Sequence, residues 1–269
     1  MKKIVGLGCS WAQGEGGYPE EIWKQYNGRV NLRGVPDEHL RGYEHENSWI
    51  NVLCRDHLTD YTPVNLGVRG IGNTAAVKQL YLTDEVDWEN DSGIIILMCP
   101  GLERWDTFND RPDQHYKFWT AWPQPHDPPK PWWDAYRTEI FCPAMMCMEF
   151  LAAVLEAQTF AERYNFKFIF ANAYDPYFLP GYLKNHIGEK YTNLIKWDNY
   201  YHKHDQYKNF INLLSDLDGF CNHDEHFGTY TELPWPLTYL ANCIHPTIEG
   251  YKVIANCLYT FIKNNNYDT

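Results

Sequence analysis

The sequence KIVGLGCSW, residues 3–11, decides the fold of this chain. Residues 3–8 form an apolar run without polar alternation, which is typical of a strand buried on both faces and therefore of a parallel sheet. Gly8 and Cys9 then lead into a serine, and a glycine-rich stretch follows at 14–17. This pattern predicts a tight turn from strand to helix around Ser10, at the carboxyl edge of the sheet where α/β proteins bind ligands.

Similar apolar runs recur along the chain and alternate with helical patterns. Further strands are predicted at 62–66, 93–98 and 166–171. Helices are predicted at about 48–58, 73–82, 143–164, 208–217 and 246–263, with caps at Asn47 or Ser48 and at Asn73 or Thr74, and with Pro246 opening the last. Strands that alternate with helices predict a three-layer α/β/α sandwich around a parallel, flavodoxin-like sheet of five strands.

The chain is expected to form one domain over residues 1–269, interrupted by two aromatic insertions at about 105–140 and 176–203. The first insertion is rich in proline and tryptophan. Because proline removes an N–H donor and restricts the residue before it, an irregular loop over the carboxyl edge of the sheet is predicted there. Residues 18–45 are polar and rich in turn formers, so they too are predicted to form a loop.

Charge and composition exclude several classes of partner. The chain has 23 Lys and Arg against 35 Asp and Glu, a net charge of −12, and no basic cluster. Nucleic-acid and anionic-membrane partners are therefore not expected, because both need clustered cations. No apolar run resembles a membrane span or a signal peptide, so a cytoplasmic protein with reduced cysteines is expected. Nothing in the sequence indicates the oligomeric state.

Residues with chemical potential follow several of the predicted strands. Ser10 follows the first strand, the glycines of 67–72 follow the second, and PGLER at 100–104 follows the third. His245 stands just before the last helix. A serine on a tight turn, glycines that expose backbone N–H groups and a distant histidine are the components of an acyl-transfer site.

These blocks resemble the SGNH, or GDSL-like, hydrolase family. The matching blocks are 4–17, 62–80, 93–105 and 242–258, and the forms GCSW…GEG and N-x-G-x-x-G-x-G-N resemble a divergent branch that is common in bacteriophage genomes. The resemblance implies that Ser10 is the nucleophile and that its N–H is one oxyanion donor. It also implies that Gly70 supplies the second donor and that His245 is the general base.

The chain departs from the family pattern at two places. Asn242 occupies the position of the family's aspartate, three residues before His245. An asparagine there orients the imidazole only weakly and can cost about 10⁴ in rate, and Asp224 is an alternative acid. The family's block-three asparagine is also missing, a loss of about 2.7–4 kcal/mol of oxyanion stabilisation for which Arg104 could substitute as a cation.

The expected reaction is hydrolysis of an ester in a small molecule or a carbohydrate, such as an O-acetyl group on a sugar. Aromatic residues make up 16% of the chain, and Trp11, Trp132 and Trp133 are candidates for substrate binding. The departures from the family pattern support an alternative, a catalytically inactive binding or structural protein such as a virion component.

No metal or cofactor is expected. The glycines at 67, 70 and 72 have the spacing G-x-x-G-x-G, which is not that of a dinucleotide-binding loop. The segments HKH at 202–204 and CNHDEH at 221–226 contain metal-ligand residue types but match no zinc or EF-hand spacing.

Overall fold

The structure is a computed structural model. It describes residues 1–25, 37–102, 104–108, 116–120, 142–174, 179–203, 206–218, 238–240 and 245–269. The strands are β1 (Lys2–Gly8), β2 (Thr62–Asn65), β3 (Ser92–Cys99), β4 (Arg104–Phe108), β5 (Tyr116–Thr120) and β6 (Lys167–Asn172). The helices are α1 (Ser10–Gln13), α2 (Glu20–Gln25), α3 (Asp37–Asn47), α4 (Trp49–Asp56), α5 (Asn73–Leu82), α6 (Pro143–Arg163), α7 (Leu179–Ile187), α8 (Glu189–Thr192), α9 (Phe210–Leu217) and α10 (Ile248–Asn264), with 3₁₀ turns at Trp197–Asn199 and Tyr201–Lys203.

Four strands form a parallel sheet in the order β2-β1-β3-β6, and helices cover both of its faces. Val5 and Leu7 of β1 pack with α5 and α6 on one face. Ile4 packs with α4, α9 and α10 on the other. Gly6 is on this second face, where a side chain would collide with Ile50 of α4. Both faces of β1 are buried, so the predicted three-layer α/β/α class with a parallel sheet is confirmed.

The prediction of five strands was wrong, because the described residues contain four in this sheet. Along the outer edge of β6 the described residues form a single parallel bridge, between Phe170 and Tyr200. Tyr200 has an extended backbone, but the 3₁₀ turns Trp197–Asn199 and Tyr201–Lys203 flank it directly. The place beside β6 is therefore occupied by a coiled segment that supplies one residue to the sheet.

The prediction of a loop over 18–45 was also wrong, because α2 lies inside this region and α3 begins in it. Tyr18, Trp23 and Leu40 form a small apolar cluster of their own. These three apolar residues are far apart in the sequence, so no regular periodicity marked the two helices. The two helices are stabilised by the contact between these residues, and neither has the amphipathic pattern that a longer helix would show.

Three helix starts can be compared with their predicted caps. Ser48 is the N-cap of α4 and accepts a hydrogen bond from the N–H of Asn51 at 3.4 Å. Gly72 holds the cap position of α5, so neither Asn73 nor Thr74 is the N-cap. Pro246 does not open α10, because Thr247 is its N-cap and accepts from the N–H of Gly250 at 3.2 Å.

The region of the first predicted insertion begins with regular structure. The strands β4 and β5 pair antiparallel and form a separate two-stranded sheet, with Trp105 opposite Trp119. This part of the chain is therefore a strand pair, contrary to the predicted irregular loop, because the prolines of the insertion lie outside the two strands. Residues 121–141, with Trp132 and Trp133, lie outside the described residues.

Helix α6 is the most apolar long helix of the described chain. Its 21 residues are long and apolar enough to cross a membrane by length and composition. In this fold 56% of its most apolar window is buried, with residues such as Phe150 and Val154 in the core beside α5 and the sheet. Such burial is typical of a core helix in a globular domain.

Candidate active site

Ser10 lies at the tight turn that the sequence predicts. β1 ends at Gly8, whose φ of +142° is open to glycine, and a side chain there would collide with the carbonyl oxygen of Met98. Ser10 then begins the four-residue helix α1, which stops at Gly14 with a φ of +106°. Ser10 is 5% exposed, so the turn holds its hydroxyl at the edge of the sheet beneath the surface.

His245 lies against this serine although 235 positions separate them. The distance from its Nε2 to the Oγ of Ser10 is 2.7 Å, within the range that a general base and a nucleophile require. The loop that carries the histidine is fixed on its far side. The hydroxyl of Thr247 donates to the carbonyl of Thr238 at 2.6 Å, and the N–H of Thr247 donates to the carbonyl of Tyr239 at 3.0 Å.

Gly16 allows the serine loop and the histidine loop to approach each other closely. Its φ is +96°, and a side chain there would place a Cβ 2.5 Å from the carbonyl oxygen of Pro246 and 2.9 Å from the Cβ of His245. The hydroxyl of Tyr251 in α10 also donates to the carbonyl of Glu15 at 2.7 Å. The loop after α1 therefore packs directly on the start of α10.

Glu15 is a residue of this site that sequence reasoning missed. Its Oε2 is 3.4 Å from Nε2 of His245, and the same oxygen is 3.6 Å from Nε of Arg69. The sequence signal was a single acidic residue between Gly14 and Gly16, in the same loop as Ser10. A lone carboxylate between glycines matches no catalytic spacing, so the sequence assigns Glu15 no role.

A buried ionic network lies beside α1, the helix that Ser10 begins, and sequence reasoning missed it as well. Glu44 of α3 is fully buried, and its carboxylate accepts from Nε2 of Gln13 at 2.9 Å, from the hydroxyl of Tyr18 and from the guanidinium of Arg69. The side-chain oxygen of Gln13 accepts from the N–H of Arg69 at 2.9 Å. These four residues, which we call the serine anchor, connect α1, α3 and the turn after β2.

The serine anchor shifts the pKa values of two of its members. Burial, together with the neighbouring Glu44 carboxylate, raises the pKa of Tyr18 far above its ordinary value, so its hydroxyl stays protonated and donates. Burial alone would lower the pKa of Arg69, but the carboxylates of Glu15 and Glu44 more than offset this, and the pKa is raised. Arg69 is therefore a permanent cation between two acidic side chains.

The candidate oxyanion donors lie at two strand ends. Gly70 adopts a φ of +74° in the turn after β2. In the described part of the chain, the backbone N–H groups of Ser10 and Gly70 donate to no acceptor. Nη1 of Arg104 donates to the carbonyl of Ile71 at 3.1 Å, so the first residue of β4 is tied to the same turn. The Arg104 guanidinium also stacks on the ring of Tyr174, 5.0 Å from its centroid.

The structure places the remaining predicted site residues as follows. Trp11 is buried at 2% exposure, and its ring lies 6.4 Å from that of His245 and 6.1 Å from that of Tyr174. Its indole therefore lies between the rings of His245 and Tyr174 as an apolar neighbour of the site. Asn242, Trp132, Trp133 and Asp224 all lie outside the described residues.

In the part of the chain that the structure describes, no three His, Cys, Asp or Glu residues form a group that could hold a metal ion. His202 is buried, and its Nε2 is 3.2 Å from the carbonyl oxygen of Asn172, which is the environment of a core histidine. The segment 221–226 lies outside the described residues.

Comparison with known proteins finds similarity to solved structures alone. One is the crystal structure of the psychrotrophic esterase EstA from Pseudoalteromonas sp., inhibited by monoethylphosphonate, which is 14% identical over 98% of both chains with a TM-score of 0.44. A second solved structure is 11% identical over 99% of both chains with a TM-score of 0.42. No family model and no curated protein matches the chain.

Proposed function

We propose that this protein is a serine esterase in which Ser10 is the nucleophile and His245 the general base. The observation that carries the proposal is the 2.7 Å distance between Nε2 of His245 and Oγ of Ser10, which lies at the tight turn between β1 and α1. The hydroxyl of a purely structural serine at a strand end can donate to any nearby backbone carbonyl. Here its partner is a histidine 235 positions away, brought in by a loop that requires Gly16.

In the first half of the reaction, Oγ of Ser10 attacks the carbonyl carbon of the ester. As the Oγ–C bond forms, the hydroxyl proton moves to Nε2 of His245 and the carbonyl π electrons move onto the carbonyl oxygen. These electrons then re-form the C=O bond, the bond to the alcohol oxygen breaks, and the Nε2 proton passes to the departing alcohol. Ser10 is left as its acyl ester.

Water completes the cycle by the same route. Its oxygen attacks the acyl carbon while one of its protons moves to Nε2 of His245. The bond from the acyl carbon to Oγ then breaks, and Oγ regains its proton from Nε2. The products are a carboxylic acid and the free Ser10 hydroxyl, so the enzyme returns to its starting state with all atoms accounted for.

We assign the N–H groups of Ser10 and Gly70 to the oxygen that becomes negative in each half of the reaction. Removing one such donor typically costs about 10²–10³ in rate. Arg104 contacts the carbonyl of Ile71, next to Gly70, so its positive charge lies at the same turn and can add to the stabilisation. Asn242 takes no part in the steps proposed above.

For the substrate we propose an ester of a small molecule or a carbohydrate, with an O-acetyl group on a sugar as the first candidate. Two sequence features support this choice, the resemblance to the SGNH hydrolases and the aromatic content of 16%, which suits flat sugar faces. The bacteriophage-type form of the motifs suggests a phage or a prophage as the origin.

The proposal is tested with a fluorophosphonate probe, which reacts covalently with an activated serine. We expect the wild-type protein to be labelled at Ser10 and to release acetate from p-nitrophenyl acetate and from O-acetylated oligosaccharides. Both Ser10→Ala and His245→Gln should abolish the labelling. Ser215→Ala is the matched control, because Ser215 is a buried serine of α9 whose hydroxyl has no hydrogen-bond partner among the described residues.

Labelling that persists in Ser10→Ala would refute the assignment of the nucleophile. A folded wild-type protein that takes up no probe would instead favour the alternative, an inactive member that acts as a binding or structural protein such as a virion component. Acetate release from the nitrophenyl ester without release from the oligosaccharides would restrict the proposal to small-molecule esters.

A further inference from the structure

Glu15 is held in place more firmly than a surface loop residue needs to be. Its N–H donates to the carbonyl of Ser10 at 3.0 Å, and its carbonyl accepts from the hydroxyl of Tyr251 at 2.7 Å. Its carboxylate lies between Arg69 and His245, and the side chain is only 18% exposed. The backbone contacts fix the residue to both α1 and α10, so the carboxylate has a defined position beside the imidazole.

We propose that Glu15 is a catalytic residue of this site, the charge partner of His245 on the side of the imidazole that faces the serine. The inference rests on the proposed esterase function and deepens it. In the family pattern the acid precedes the histidine by three residues and Asn242 stands there. Glu15 comes instead from the loop that carries the nucleophile, and it contacts the reacting nitrogen Nε2 itself.

The carboxylate of Glu15 favours the protonated state of the imidazole over the neutral state. Before reaction Nε2 accepts the hydroxyl proton of Ser10, so it presents a lone pair, and a carboxylate 3.4 Å away repels that lone pair. After proton transfer Nε2 carries a proton and the ring a positive charge, and the same carboxylate attracts both. Glu15 therefore stabilises the transition state more than the ground state, which is the condition for raising kcat.

The charge of the surrounding residues supports this role. Glu15 and Glu44 are two negative charges around the single positive charge of Arg69, so these three residues carry one net negative charge while His245 is neutral. When the imidazole takes the proton of Ser10, these three residues and the imidazolium together carry no net charge, and the developing negative charge lies on the substrate oxygen. Arg69 thereby holds Glu15 in position without cancelling its effect, because Glu44 already balances the guanidinium.

Among the described residues, the other charged or titratable groups near the imidazole lie farther away than Glu15. The uncharged indole of Trp11 lies near the ring, with 6.4 Å between the two ring centroids. Tyr174 and Arg104 follow beyond this indole, with the guanidinium stacked on the tyrosine ring. The guanidinium of Arg69 contacts the same Glu15 oxygen that lies beside the imidazole, at 3.6 Å. In the described part of the chain, Glu15 is therefore the acidic side chain in contact with Nε2.

The first experiment compares Glu15→Gln with wild type in the pH profile of kcat/KM for p-nitrophenyl acetate. An opposite charge at this range shifts a pKa by about 1–3 units, so we expect kcat to fall about 10- to 100-fold and the acidic limb to move to lower pH by about one unit or more. The direction follows because removal of an anion makes the imidazole harder to protonate. KM should change little, and Glu15→Asp, which keeps the charge, should recover part of the rate.

The matched control is Glu162→Gln on α6. Glu162 is an exposed glutamate that pairs with Lys196 at 2.6 Å, so its replacement makes the same chemical change outside the site. Rate and pH profile should stay as in the wild type. A Glu15→Gln protein with unchanged kcat and an unchanged acidic limb would overturn the role of Glu15. If probe labelling still depended on Ser10 in that case, the esterase proposal would remain intact.

A second measurement does not depend on turnover. In the inactive Ser10→Ala protein, the imidazole of His245 is titrated by NMR with and without Glu15→Gln. We expect the additional substitution to lower the pKa of His245 by about one unit or more. Equal titration curves would refute the charge-partner role even if the protein had no esterase activity, and absence of probe labelling in the wild type would separately refute the esterase.

Discussion

Glu44 lies beside α1, the helix that begins at Ser10, and Asp218 lies beside the loop that carries His245. Glu44 is fully buried, and its partners are side chains: the amide of Gln13, the hydroxyl of Tyr18 and the guanidinium of Arg69. Asp218 is half-buried and accepts from backbone N–H groups, those of Tyr239 at 3.2 Å and Leu240 at 3.1 Å. We call the group of Asp218, Tyr239, Leu240 and Thr247 the histidine anchor.

The two anchors differ in what balances the negative charge. In the serine anchor the guanidinium of Arg69 lies against the buried carboxylate of Glu44, so each charge is neutralised by the other. In the histidine anchor the partners of the carboxylate among the described residues are N–H dipoles, and burial raises the pKa of Asp218 despite them. The first anchor should therefore be sensitive to the loss of charge, whereas the second should depend mainly on the shape of its loop.

The largest effect is expected from Arg69→Met, which leaves the buried Glu44 carboxylate without its cation. Removing one partner of a buried ion pair typically costs about 3–5 kcal/mol, so the free energy of unfolding from urea titration at pH 7 should fall by that amount. Esterase activity should fall with it, because Glu15 loses its partner as well.

Arg55→Met is the control for Arg69→Met. Arg55 pairs with Asp56 at 2.7 Å on the surface, with half of its side chain exposed, and surface pairs of this kind contribute about 0–1 kcal/mol. If both substitutions lowered the free energy of unfolding equally, the ion pair of Arg69 and Glu44 would contribute no more than a surface ion pair.

Gly16→Ala should have the second largest effect, because Gly16 lies where the two loops meet. The new Cβ would clash with the carbonyl of Pro246, and a non-glycine residue at a φ of +96° is strained, so a loss of about 1–3 kcal/mol is expected. Displacement of the histidine loop should also lower the rate of probe labelling at Ser10. Thermal unfolding and labelling kinetics measure the two effects.

The matched control for Gly16→Ala is Gly42→Ala in α3. A Cβ at Gly42 meets no atom within 4 Å, and alanine is the better helix former, so a gain of about 0.5–1 kcal/mol is expected. A Gly16→Ala protein that was as stable and as reactive as the Gly42→Ala protein would show that the two loops do not need this close approach.

The layers of the fold and the Ser10–His245 pair could be predicted because each leaves a local pattern. The run 3–8 is apolar without alternation, which reports burial on both faces. Ser10 stands at the end of such a run. His245 stands at the start of the last helix, and the parallel topology brings these two ends to one edge of the sheet.

The two anchors could not be predicted, because their residues carry no local pattern. Glu44 lies in a polar stretch that the sequence indicates to be a loop, and its burial depends on Arg69 and Tyr18, which arrive from other elements. Glu15 likewise acquires its place only when α10 brings His245 beside it. Inward-facing charges are paired across the fold, and composition or periodicity cannot report such a pairing.

A smaller effect is expected at the start of α10, from Thr247→Ala. Thr247 caps the helix by accepting from the N–H of Gly250 and also donates to the carbonyl of Thr238, so both functions are lost together. Loss of an N-cap costs about 1 kcal/mol, measured as the change in the free energy of unfolding. Thr247→Ser keeps the hydroxyl and should retain most of the stability; an equal loss in both variants would point to the methyl group instead of the cap.

The smallest effect at neutral pH is expected from Asp218→Asn. The asparagine oxygen can still accept from Tyr239 and Leu240, and the substitution removes a charge that burial disfavours, so the free energy of unfolding at pH 7 should change by less than about 1 kcal/mol. The pH dependence gives the sharper test. Because the folded pKa of Asp218 is raised above its ordinary value, the cost of its charge is present at pH 7 and disappears as the pH falls below the unfolded value. Wild type should therefore gain stability relative to Asp218→Asn between pH 7 and pH 4. A relative loss over this range would mean that the N–H groups outweigh burial and that the histidine anchor, like the serine anchor, is stabilised by its charge.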